Sequence, residues 1–80
     1  MHEATIRVTV KLVGGFVHTL GFSEREIDLP AGAILTDLLA RIGLDAARPM
    51  ITSRAGWVIR AGEELRDGDR VMISPVFSGG

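Results

Sequence analysis

The chain has 80 residues, a formal net charge of −1 and no cysteine. That length allows one domain around one core and leaves little room for a deep, self-contained active-site cavity. The missing cysteines exclude disulfides, thiolate catalysis, iron–sulfur clusters and cysteine-ligated zinc. The basic residues are scattered and balanced by acids, unlike the concentrated cations of a nucleic-acid binder. The longest run without Asp, Glu, Lys or Arg, from Leu12 to Ser23, is too short and glycine-interrupted to span a bilayer. Met1-His2-Glu3-Ala4 lacks the basic and apolar regions of a signal peptide. The expectation is a soluble cytoplasmic protein that acts through its surface or its ends.

Thr5 to Leu12 alternates strictly, with Ile6, Val8, Val10 and Leu12 on one side, and predicts a half-buried strand. Gly14-Gly15 breaks it, and Phe16 to Leu20 reads either as a short return strand or as a turn of helix. Glu24 to Leu29 alternates again and is closed by Pro30. From Ile34 to Leu44 the period changes: Leu35, Leu38, Leu39 and Ile42 make one apolar helical face that stops at Gly43. No Ser, Thr, Asp or Asn stands just before Ile34, so the start is less well marked and Gly32 is only a tolerable cap. Met50-Ile51-Thr52 and Trp57-Val58-Ile59 predict short strands about an Ala55-Gly56 turn, and Asp67-Gly68-Asp69 marks another turn. Val71 to Phe77 is the last strand. The helix must lay its single stripe on one face of a mixed sheet, an α+β two-layer domain. The first and last strands are expected to pair at its centre.

The chain finishes Ser74-Pro75-Val76-Phe77-Ser78-Gly79-Gly80. Pro75 lacks an N–H, so sheet pairing should weaken there, and residues 77–80 read as a flexible tail on a domain of residues 1–76. A Gly-Gly end is a thin strand without β-carbons that can thread a narrow channel and bring its carboxylate to a nucleotide phosphate.

Leu29-Pro30-Ala31-Gly32 leads into Thr36-Asp37-Leu38-Leu39, and Leu65-Arg66-Asp67-Gly68-Asp69-Arg70-Val71 precedes the Gly-Gly tail. In that order and spacing, these segments resemble the ubiquitin-like sulfur carriers of the MoaD/ThiS family from about Thr5 to Gly80. The resemblance implies a β-grasp fold, with a mixed sheet and one main helix on one face. It implies a protein cosubstrate rather than an enzyme, with no bound cofactor and no metal. A ubiquitin-activating-like adenylyltransferase would use ATP to join the Gly80 carboxylate to AMP. A sulfur donor would then convert it to a thiocarboxylate, whose sulfur goes to a precursor inside a partner enzyme. Gly79 gives Gly80 passage, and Ser78, Phe77 and Val76 would line the mouth of the partner's channel.

Proline, an apolar residue and a small residue before Gly-Gly make the tail most similar to the small subunit of molybdopterin synthase, whose large subunit would be the partner. Two departures stand against that subgroup. The segment from Val13 to Gly21 is glycine-interrupted where those carriers have a helix. Ile34 stands where a Thr cap is usual, a change worth about 1 kcal/mol. Other readings remain open: a thiamine-pathway carrier, a modifier joined through Gly80 to a target lysine, and an interaction module. Neither a nucleic-acid nor a membrane partner is expected.

His2 and His18 are the sole histidines, too few for a metal site without cysteines, and His18 reads as a loop or rim residue. Asp67-Gly68-Asp69 lacks the rest of a calcium loop, and Gly14-Gly15 lacks the Lys-Ser/Thr of a phosphate-binding loop. Trp57 reads as a core or rim residue, since large aromatics are mostly buried. Phe77 is either a docking anchor or packs back on the sheet.

Overall fold

In the computed structural model the described residues are 4–76. Strand β1 (Thr5–Leu12) alternates as its sequence dictates, with Val8, Val10 and Leu12 buried and Arg7 and Lys11 exposed. It pairs antiparallel with β2 (Glu24–Pro30), setting Val8 opposite Ile27 and Lys11 opposite Glu24.

Between them the Phe16 segment is helix α1 (Gly15–Leu20), which settles the earlier ambiguity against a strand. Six residues are too few to hold a helix by propensity. What holds this one is Phe16, which is buried in the core, with Val17 and Leu20 packed against it. The glycine interruption therefore brackets a helix.

Helix α2 (Leu35–Ile42) buries Leu35, Leu38 and Leu39. Burying such a side chain is worth about 1.5–3 kcal/mol, so this stripe fixes the helix on the sheet. Gly43 ends it at φ 83°, where its N–H bonds back to Ala40 and Leu39 carbonyls. Its start is at Ile34, where the resemblance put the cap position. Ile34 is the N-cap; its N–H donates to Asp37 Oδ2 at 2.9 Å, half of a capping box, since an isoleucine side chain accepts nothing in return. The Leu35 and Thr36 N–H groups donate to the carbonyls of Glu63 and Ala61 at 2.9 and 3.1 Å. A distant loop thus takes over the cap.

Strands β3 (Met50–Arg54) and β4 (Trp57–Val58) form a hairpin whose turn residues Ala55 and Gly56 both have positive φ, 53° and 83°. That is the handedness a two-residue hairpin turn demands, and alanine tolerates it poorly. Strand β5 (Arg70–Pro75) completes the sheet in the order β2-β1-β5-β3-β4, parallel to β1 and antiparallel to β3. The first and last strands do meet at its centre. The last strand stops at Pro75 rather than running to Phe77, with Pro75 opposite Met50. One sheet face is covered by α2 and α1 and the other is open: the expected β-grasp.

Candidate functional site

β5 positions the site. It is the middle strand, held on both sides, and Val71 and Ile73 are 1% and 0% exposed. Its inward residues are thereby anchored, and its outward ones, Arg70, Met72 and Ser74, are presented on the open face. Beyond Pro75 the chain reaches Val76, which is 48% exposed. Of the predicted site residues, Val76 is described and lies on the surface at the end of the central strand. Phe77, Ser78, Gly79 and Gly80 lie outside the described residues.

The open face around β5 carries apolar side chains that periodicity did not single out. Register sets Lys11, Met72, Ser53 and Val58 in one row across four strands, and Ile51 opposite Ser74 in the next. Val13 adjoins that row through its N–H bond to Ile73 O at 3.0 Å. Val13, Ile51, Met72 and Val58 are all exposed. The signal available in the sequence was Met72, an apolar residue out of phase between Val71 and Ile73. Trp57 corrects its reading: it is 78% exposed, on a two-residue strand at the sheet edge.

Polar groups on this side are arranged in pairs. Arg7 Nε donates to Asp28 Oδ1 at 2.8 Å, and that hydrogen bond holds the Asp28 carboxyl below its ordinary pKa and raises that of Arg7. Arg70 reaches Glu24 at 3.4 Å. Asp67 and Asp69 serve the turn: Asp67 Oδ1 accepts from Arg7 N–H, and Asp69 Oδ2 accepts from Arg66 N–H and Arg54 Nη1. Both carboxylates are thus spent on structure. Among the described residues no three His, Asp or Glu side chains are grouped to hold a metal ion. His18 sits exposed in the last turn of α1, a helical rather than a loop position. No helix among these residues is long and apolar enough to cross a membrane. Among the described residues the arrangement can present a surface.

Among solved structures, a Pyrococcus furiosus protein assigned as molybdopterin converting factor, subunit 1, matches with 30% identity and a TM-score of 0.77, over 90% of this chain and 99% of that one. The chain belongs to the MoaD/ThiS family of ubiquitin-like proteins. Haloferax volcanii SAMP1 matches at 23% identity and TM-score 0.77, over 92% of this chain and 99% of its own. A structure of that organism's small archaeal modifier protein 1 matches at 17% and 0.79, over 90% and 99%. These two likenesses establish the shared fold. No protein-family profile and no curated protein sequence matches the chain. Family membership makes it a small protein of the ubiquitin-like kind.

Proposed function

We propose that this chain is a sulfur carrier for molybdopterin-type cofactor synthesis, loaded at Gly80. The observation that carries the reading is the match to the Pyrococcus converting-factor subunit along nearly the whole of both chains. The Gly80 carboxylate attacks the α-phosphate of ATP in an adenylyltransferase, and pyrophosphate leaves. The outer sulfur of a persulfide donor then attacks the acyl carbon and AMP departs, leaving an acyl disulfide; a thiol attacks the donor's sulfur of that bond, forms a disulfide with it and releases the thiocarboxylate. The chain's own contribution is positional. The anchored β5 leads towards the tail, and the glycines at 79 and 80 have no β-carbon to obstruct a narrow channel. The large subunit of molybdopterin synthase is the acceptor in this reading, and the carrier performs no catalysis itself.

The test is intact mass spectrometry after incubation with an activating enzyme, ATP and a persulfide source. The expected product has one oxygen of the C-terminal carboxylate replaced by sulfur. A chain lacking Gly80 should not be adenylated; equal adenylation of the truncated chain refutes the reading. A second reading, attachment of Gly80 to protein amines, is favoured by the fold shared with small archaeal modifier protein 1. Lysine-linked adducts in place of the thiocarboxylate would select it.

A further inference from the structure

The chain has a single lysine, Lys11, among its 80 residues. It is the sole ε-amine on the molecule, and it is exposed at the centre of the open sheet face, in the row of Met72 and Ser53. Its cross-strand partner Glu24, the natural carboxylate for it, is instead engaged by Arg70 from two strands away. Among the described residues Lys11 makes no ion pair. Beside it runs a groove of about 270 Å³ lined by Thr9, Lys11, Ser53, Gly56, Arg70 and Met72. That volume falls below the range of about 300–1,000 Å³ usual for small-molecule sites. Gly56 contributes no side chain to it, and a β-carbon there would meet nothing within 4 Å. The groove is thus sized for a thin peptide strand rather than a cofactor, and its one primary amine is a nucleophile.

We propose that Lys11 is the acceptor for the activated C-terminus of a second copy of this chain, with that copy's Ser78-Gly79-Gly80 lying in the groove. Those three residues include no side chain larger than a hydroxymethyl group. A chain's own tail is the poorer fit, because β5 runs parallel to β1 and carries the chain past the Lys11 row before it ends at Pro75. In the step, the unprotonated Nζ attacks the Gly80 acyl carbon, the bond to the leaving AMP breaks, and the ammonium proton passes to water. An isopeptide bond joins the two copies, each of which retains one Lys11 or one Gly80 for extension. The linkage is then of one kind only.

The inference rests on the reading of Gly80 as the activated carboxyl, but its test supplies the activation chemically. Full-length K11R protein is prepared with an intein-derived C-terminal thioester as donor and mixed with isotope-labelled wild-type acceptor. Branched peptides are then quantified by tandem mass spectrometry. The expected product is a Gly80–Lys11 branch. It should form at least about tenfold faster than the branch to the same amine placed outside the groove, in a K11R/R60K acceptor, because a positioned amine gains effective concentration. Equal rates at the two positions overturn the proposal, as does reaction chiefly at the Met1 α-amine. So does complete hydrolysis of the donor without a Lys11 branch, or a wild-type thioester that circularises instead of joining a second copy. None of these outcomes bears on whether an enzyme adenylates Gly80.

Discussion

Replacing Ile34 with threonine asks whether α2 is started by its own cap or by the loop laid across it. A hydroxyl cap is ordinarily worth about 1 kcal/mol over an aliphatic residue, so sequence alone forecasts stabilisation. In the fold the N–H groups that a cap would satisfy are already engaged. Asp37 N–H donates to Ile34 O at 2.9 Å, Leu35 N–H to Glu63 O at 2.9 Å, and Thr36 N–H to Ala61 O at 3.1 Å. The introduced hydroxyl can only compete for one of these. Meanwhile I34T removes apolar surface from a half-buried side chain, a loss of about 0.5–1 kcal/mol for roughly one methylene. The net expectation is a change between about zero and a loss of 1 kcal/mol, or at most about 4–8 °C in Tm for a domain of this size. Urea unfolding at constant slope measures it through the midpoint. A gain near 1 kcal/mol would refute the idea that the loop supplies the cap. D37A is the companion variant: it removes the bond to Ile34 N–H and a favourable charge at the helix start, and should cost about 1 kcal/mol.

Ala55 holds φ 53° in the hairpin turn, a conformation that asparagine tolerates better, so A55N should raise stability by about 0.5–1 kcal/mol in the same urea assay. No gain would mean that the turn relaxes around alanine. Ile73 is fully buried on the central strand, and I73A should cost about 2–5 kcal/mol; a loss under about 1 kcal/mol would contradict the central packing of β5. The Asp28 carboxyl has its pKa lowered in the fold by the Arg7 hydrogen bond. Its contribution is therefore complete above the unfolded value, near pH 4, and is lost as pH falls through the folded one. D28N should flatten stability below about pH 4 without altering its shape near neutrality, and an unchanged acid limb would dismiss the Asp28 contribution.

The sequence-derived readings succeeded where one physical signal dominated. In TIRVTVKL, alternation and β-branching agree, and in Leu35, Leu38, Leu39 and Ile42 a single stripe specifies both the helix and the face it buries. Pairing of the first and last strands followed from both needing a covered face. α1 was ambiguous because its stability comes from Phe16 docking in a core assembled by distant segments. The cap position at Ile34 was legible, but its acceptors were not: they are Ala61 and Glu63, more than twenty residues away. Trp57 was misread because a two-residue strand has no period from which to assign a face. The apolar surface of Ile51, Met72 and Val58 exists only through the strand order β1-β5-β3-β4, and no local pattern brings those residues together. No local pattern singled out Lys11, and its setting in a groove needs the register.

The parallel pairing of β1 with β5 also bears on when the sheet can close. Thr9 must find Arg70 and Leu12 must find Ile73, so the middle of the sheet closes only after nearly the whole chain has been made. Such a high contact order slows folding relative to helical domains of equal length. It also makes the mount of the tail the last part of the sheet to be supplied. A chain interrupted before Arg70 lacks the strand that joins the two halves of the sheet, so neither half can close on the other.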